Sequence, residues 1–283
     1  MRFAFTALIC ALAAPALAQA PFASFDRASE PVLNDPHDLT IGPDGRLYVA
    51  DKFNNRIAVL DAETLEIVET FGDGQLYDVH DISFGPDGKA YVAATGANVV
   101  VSYWFSDGTP DMEYALGQFP RTEGALAHSN GKLYVMASGI GQLVAMENGK
   151  AVSAVRGMPG AHDVAEGLDG SIWVANTNAG QLVQFSETLE LMTTLDDAKY
   201  GFIGPRYLDV DDFGRLVVAD QDAHRILMID PTTGDLLGVI GDGTPGLGPN
   251  KFDDPEGVAV HGTTFYFSDS DNNRVVRYVV VTN

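Results

Sequence analysis

Short alternating apolar and polar runs, four to a group, recur along this chain, and clusters of turn residues separate them. From Pro36, Leu39-Thr40-Ile41 leads into the turn Gly42-Pro43-Asp44-Gly45 and then the longer run Arg46-Leu47-Tyr48-Val49-Ala50-Asp51. A polar loop, Lys52-Phe53-Asn54-Asn55, separates it from Arg56–Asp61, and Ile67–Phe71 completes the group. β-branched and aromatic residues between Gly, Pro, Asp and Asn turns predict four antiparallel strands forming one sheet. The plan recurs at 81–115, 124–155, 163–195 and 207–240, and a last unit from Gly257 has three runs. No sustained 3.6-residue periodicity occurs after the first twenty residues, which excludes helical repeats.

The predicted fold is therefore all-β: a six-bladed β-propeller of four-stranded antiparallel blades. An open solenoid of the same units is the alternative. The approximate blades are 36–78, 79–121, 122–160, 161–204, 205–253 and 254–283, the last completed by 21–30. Phe22-Ala23-Ser24-Phe25-Asp26 alternates as a strand and has no blade of its own. It is expected to pair with the third strand of the last unit and close the ring, which removes exposed sheet edges.

One position in each repeat carries chemistry. Gly45, Gly88, Gly131, Gly170, Gly214 and Thr264 mark the turn after the first strand, and eight residues before each stand His37, His80, Glu123, His162, Arg206 and Glu256. Closing the ring would bring these six side chains to one axis at the start of the innermost strands. Imidazole and carboxylate are ligands for zinc and other divalent first-row metals. His80, His162 and either His37 or Glu256 are the expected metal ligands. Arg206 has two readings: it binds an anionic group of a substrate, or it pairs with Glu123 or Glu256. Glu123, Arg206 and Tyr207 are the expected catalytic groups, Tyr207 as an acid or base if its pKa is lowered. Asp38, Asp81 and Asp163 stand directly after the histidines. They are candidates to orient imidazoles, to hold a structural calcium ion in the channel, or to accept backbone N–H groups between blades. Asp220-Gln221-Asp222 and Asp269-Ser270-Asp271 lack the glycine and distal glutamate of a calcium loop.

Arg2, an apolar run from Phe3 to Leu12 and the exit Ala16-Leu17-Ala18 describe a secretory leader at 1–18, leaving one propeller domain at 19–283. Its apolar core is too short for the roughly 20 residues of a membrane span. The only cysteine, Cys10, falls inside it, so the exported chain is held together without disulfides. A periplasmic or secreted location is the expectation. The formal charge of −22 disfavours nucleic acid as a partner.

The repeat text resembles the NHL family of β-propellers. The match is clearest in Lys251–Val260 with Phe265-Tyr266-Phe267-Ser268-Asp269 and Asn272-Asn273-Arg274-Val275, and in the first repeat at Tyr48-Val49-Ala50-Asp51 and Asn54-Asn55-Arg56-Ile57. Pro36-His37-Asp38-Leu39, Val79-His80-Asp81-Ile82 and Ala161-His162-Asp163-Val164 are similar to zinc-ligand contexts of one NHL-like branch, the lyase that cleaves peptidyl-α-hydroxyglycine. Ligands from alternate blades, as in that branch, would here be His80, His162 and Glu256. Phe53 and Gln221 stand where that lyase has its tyrosine and arginine. The resemblance implies a metal-dependent lyase or hydrolase, acting as a monomer on a small molecule or peptide end. The competing expectation is a non-catalytic propeller that binds a periplasmic protein, a peptide or metal ions. A lactonase of the gluconolactonase type fits poorly, because its metal is held chiefly by Glu, Asn and Asp.

Overall fold

The unbroken apolar runs inside each repeat form the most deeply buried strands. A computed structural model of the chain describes residues 21–115 and 120–280; the leader expected at 1–18 lies outside them. The first strand, β1 (Ser24–Ala28), is not part of blade one. Blade one is β2 (Pro36–Ile41), β3 (Leu47–Asp51), β4 (Arg56–Leu60) and β5 (Ile67–Phe71). Blade two is β6 (Val79–Phe84), β7 (Lys89–Ala94), β8 (Val99–Trp104) and β9 (Thr109–Ala115), and blade three β10 (Thr122–Ala127), β11 (Leu133–Ala137), β12 (Gln142–Glu147) and β13 (Lys150–Arg156). Blade four is β14 (Val164–Glu166), β15 (Ile172–Asn176), β16 (Gln181–Phe185) and β17 (Leu191–Leu195), and blade five β18 (Pro205–Val210), β19 (Leu216–Asp220), β20 (Arg225–Asp230) and β21 (Asp235–Ile240). β22 (Pro255–His261), β23 (Thr264–Asp269) and β24 (Arg274–Val279) build the sixth, and β1 completes it.

All six sheets are four-stranded, and every described pairing is antiparallel between neighbours in the chain, except that β1 joins β24. Phe25 faces Tyr278 and Ala28 faces Val276 in that closing pair. The second strands β3, β11, β15 and β19 are buried at every residue, because blades pack against them on both faces. The outer strands β13 and β17 are mostly exposed, which is why their sequences read as weaker strands. Between blades five and six, Phe252, Phe267 and Tyr278 pack with Ile226 and Ile240 in one apolar cluster.

The recurring Asp…Asn-Asn-Arg text builds the corners. Asp51 is fully buried, accepts the Asn34 N–H at 2.8 Å and pairs with Arg56 at 2.8 Å. Asp220 with Arg225 and Asp269 with Arg274 repeat the arrangement, the aspartates accepting N–H groups of Ile203, Gly204 and Asp253. Both alternating-carboxylate loops therefore spend their leading aspartate on a structural corner.

Candidate metal centre

Backbone geometry aims the six slot residues inward. In five blades the pairing of first and second strand shifts register at the slot, as at Val79/Asp81, Thr122/Gly124 and Pro205/Tyr207. Such a bulge re-aims a side chain that regular alternation would send into a sheet face. Two residues before the slot, Asp35, Asp78, Arg121, Gly160 and Asp254 have positive φ. The next position also needs close approach between strands: a Cβ on Gly257 would lie 2.3 Å from the His37 carbonyl oxygen, and one on Gly124 2.7 Å from that of His162.

His37, His80, Glu123, His162 and Glu256 all become buried at the axis. Glu123 lies between two of the histidines and Glu256 against the third. His37 Nε2 lies 2.8 Å from Glu256 Oε2, while Glu123 Oε2 lies 3.2 Å from His80 Nε2 and 3.6 Å from His162 Nε2. The His37 and His80 rings meet edge to face, 4.4 Å between centroids. Among the described residues, the one group of three whose ligand atoms all lie within 4.8 Å of one another is Asp35, His37 and Glu256, and Lys52 already binds Asp35 Oδ2 at 2.8 Å.

Hydrogen bonding fixes which atoms face the axis. The Nδ1 atoms of His37, His80 and His162 lie 3.3, 3.1 and 2.9 Å from the carbonyl oxygens of Asp35, Asp78 and Gly160. A carbonyl only accepts, so Nδ1 carries the proton and Nε2 keeps a lone pair in the neutral ring. Thr177 adds to this at His162: its hydroxyl donates to Pro205 O at 2.8 Å and accepts from Nδ1 at 3.1 Å. Each glutamate is likewise held by one oxygen. Arg121 donates two N–H groups to Glu123 Oε1, and Gln221 Nε2 donates to Glu256 Oε1 at 2.7 Å. Glu123 Oε2, Glu256 Oε2, His37 Nε2 and His162 Nε2 are buried and make no hydrogen bond. Acceptor thus faces acceptor across the axis, an arrangement that repels unless a proton or a cation lies between.

The protonation states agree. Burial pushes the His80 and His162 pKa values down to about 3, His37 also well below the ordinary value, so all three rings are neutral at pH 7. Burial pushes Glu256 up to about 7, with the neighbouring Arg206 opposing. Near neutral pH its carboxyl is therefore half protonated and can itself place a proton between Oε2 and His37 Nε2. On the Glu123 side the imidazoles supply none. The donor set of neutral imidazoles and carboxylate oxygens suits a divalent first-row ion.

Arg206 lies with its Nη2 3.9 Å from Glu256 Oε1 and its Nε buried without a partner. Tyr207 does not fit the expected acid or base. It is fully buried, its hydroxyl crosses the channel to donate to the His80 carbonyl at 3.1 Å, and burial with Glu256 and Glu123 nearby raises its pKa. It floors the site. Glu123, expected as a catalytic group, stands among the ligand atoms instead. Phe53 and Tyr77 are more than half exposed.

The aspartates after the histidines do not touch the imidazole nitrogens in any described hydrogen bond; they stitch blades. Asp81 accepts the N–H of Ala125, Asp163 that of Leu208 at 2.8 Å, and Asp209 that of Val260 at 2.7 Å. With Asp38 they line a channel cavity of about 170 Å³. Burial raises all four carboxyl pKa values, Asp81 and Asp209 to about 6.

Arg121, Gln221 and Thr177 were not among the expected site residues. Arg121 had a legible signal, standing two residues before the slot like Asp35 and Asp78. Gln221 was marked only as standing where the resembled lyase has its arginine; nothing tied it to Glu256, which belongs to the next blade. Truncating either glutamate holder, Gln221→Ala or Arg121→Ala, is expected to weaken divalent-ion binding about 10–100-fold. Competition against a chromogenic chelator measures this; unchanged affinity in both variants would remove them from the site.

The NHL repeat matches residues 33–60. The six four-stranded sheets make the chain a six-bladed β-propeller, and its first blade carries the NHL match. No curated protein matches the sequence. Among solved structures, virginiamycin B lyase from Staphylococcus aureus is 14% identical, with a TM-score of 0.65 over 88% of this chain and 96% of that one. The PQQ-bound aldose sugar dehydrogenase of Streptomyces coelicolor is 14% identical, TM-score 0.67, over 91% and 97%. An auxiliary nutrient-binding protein from Bacteroides thetaiotaomicron is 17% identical, TM-score 0.70, over 87% and 69%. Among the described residues no helix is long and apolar enough to cross a membrane.

Proposed function

We propose that the axial ring binds one divalent metal ion, zinc foremost, through His37, His80 and His162 with Glu256 and Glu123, in a protein exported to the periplasm or beyond. The observation that carries this is the facing of acceptors: His37 Nε2 lies against Glu256 Oε2, and His80 and His162 Nε2 lie against Glu123 Oε2, while their other ends are tied. A bound divalent ion would supply a Lewis acid and a lowered pKa for bound water. Arg206, with an unpartnered Nε, would bind an anionic group of a small molecule or peptide end. Such a site suits a metal-dependent lyase or hydrolase. The fold itself casts no vote, since a lyase, a dehydrogenase and a nutrient-binding protein share it.

The second reading, a non-catalytic propeller binding a protein, a peptide or the metal alone, is favoured by one observation. The ring residues are almost closed to solvent, and Tyr207, the nearest candidate acid or base, is committed to a backbone carbonyl.

The test is metal analysis of the mature protein purified without chelators or a histidine tag, and then a lyase and hydrolase screen. About one ion per chain supports the site, and turnover that chelation removes and zinc restores supports the enzyme. No ion even after reconstitution would sink both, and an ion without turnover would favour the second reading.

A further inference from the structure

On the face opposite the axial ring, two neighbouring turns break the rule their siblings obey. The turns between first and second strands read Gly42-Pro43-Asp44-Gly45 and Gly85-Pro86-Asp87-Gly88 in blades one and two. Blade four places Leu168 in the proline position, and blade five reads Asp211-Asp212-Phe213-Gly214. Turn tips favour Pro, Asp, Asn and Gly for backbone reasons, and burying nothing there leaves a large apolar side chain in water. Leu168 is 66% and Phe213 78% exposed.

The two flank a groove between blades four and five, lined also by Trp173, Met192, Val210 and Pro231, with a volume of about 800 Å³. The equivalent groove between blades one and two is closed by the chain's own aromatics. There Phe84 and Phe105 pack on each other and on Tyr48, leaving about 70 Å³. Blade five has Val210 and Pro231 where blade two has Phe84 and Phe105, so the space opens.

Phe213 is also held in place. Asp211 Oδ1 accepts the N–H groups of Phe213 and Arg215 at 2.9 Å each, and its Oδ2 takes the Arg215 side chain at 2.6 Å. The guanidinium then lies 4.9 Å from the centre of the Phe213 ring. A turn fixed in this way presents its side chain without further ordering cost. Asp169 and Asp230 line the groove, Asp212 precedes Phe213 in its turn, and Arg215 is already spent on Asp211.

We propose that this groove docks a partner protein through a segment whose apolar side chains are flanked by lysine or arginine. The charge pattern selects that occupant: an apolar floor within an acidic rim, on a chain of net charge −22, repels acidic segments and steers basic ones. The face leaves the axial mouth free, so docking and whatever happens at the ring proceed independently.

The experiment uses fluorescence anisotropy with a short labelled peptide of alternating leucine and lysine, beside a leucine–glutamate counterpart. The proteins are the full mature chain, a Leu168→Ser/Phe213→Ser variant and a Val152→Ser control on the outer strand of blade three. The expected result is saturable binding of the lysine peptide to wild type and control, about tenfold or more weaker to the double variant. The glutamate peptide should not bind. Equal binding by wild type and double variant, equal loss in the control, or no saturable binding at all would overturn the proposal. Melting curves of all three proteins report whether the fold is kept.

Discussion

Replacing His80 and His162 together by alanine is expected to take the protein from about one bound divalent ion per chain to none, with the propeller intact. Both Nε2 atoms face Glu123 Oε2, and no other described imidazole approaches that oxygen as closely. Their removal would leave Glu123 Oε2 without an imidazole facing it and His37 with Glu256 as the remaining donor pair. Asp35 also stands near that pair but is taken by Lys52, and two free donors do not make a tight site for a first-row ion, which takes three or four protein ligands. The fold should survive because the slot side chains meet at the axis, whereas the sheets are held by ladders and the apolar clusters between blades. Metal analysis gives the first readout and circular dichroism with thermal melting the second. A folded double variant that keeps its ion would refute the assignment. A folded variant that loses it, beside Glu123→Gln with weakened binding, would place the ion on the Glu123 side of the ring.

Asp81→Asn is expected to stabilise the metal-free protein at pH 8 by roughly 5–10 °C in Tm, a gain that shrinks to about a third at pH 4.5. Burial raises the Asp81 pKa from 3.8 to about 6. A raised carboxyl binds its proton more tightly in the folded than in the unfolded chain. Its stabilising contribution is therefore full below the unfolded value near 4 and is lost as pH rises through about 6. At pH 8 the wild type carries that whole loss, on the order of 2–3 kcal/mol, and an amide carries none of it. Asparagine can still accept the Ala125 N–H, and its own N–H₂ can donate to the neighbouring Asp38. The three buried histidines work in the other direction. Their folded pKa values lie below the unfolded one, so stability falls as pH drops from about 6.5 towards 3. That loss is common to wild type and variant, so the difference between them reports the Asp81 carboxyl together with its buried neighbour Asp38, whose own pKa the Asp81 charge helps to raise. A Tm difference that is constant between pH 8 and 4.5, or reversed in sign, would show that Asp81 is not held as a raised, buried acid.

Much of this molecule is written locally. The fourfold strand pattern, the turn glycines and the spacing of the slot are consequences of alternation and turn chemistry, which act over a few residues. They led to six closed blades and to β1 pairing with the last. The slot itself was legible, because His37, His80 and His162 stand at one register position. Tyr207 was misread because the residue after the slot could not be assigned to face or channel. The bulge turns it across the axis, where burial raises its pKa and a carbonyl accepts its hydrogen bond.

The sequence by itself thus determined the repeat, its number and which residue types reach the axis. Only the closed ring decided which atoms are free there. Gln221 meets Glu256 across a blade boundary, His80 receives Tyr207 from the far side of the channel, and Thr177 sets the His162 tautomer against a carbonyl of blade five. These contacts join residues from 28 to 127 positions apart, or fix a ring through such a link. Hydrogen-bond direction depends on where both partners lie in space, and periodicity along one strand carries no information about the strand that faces it.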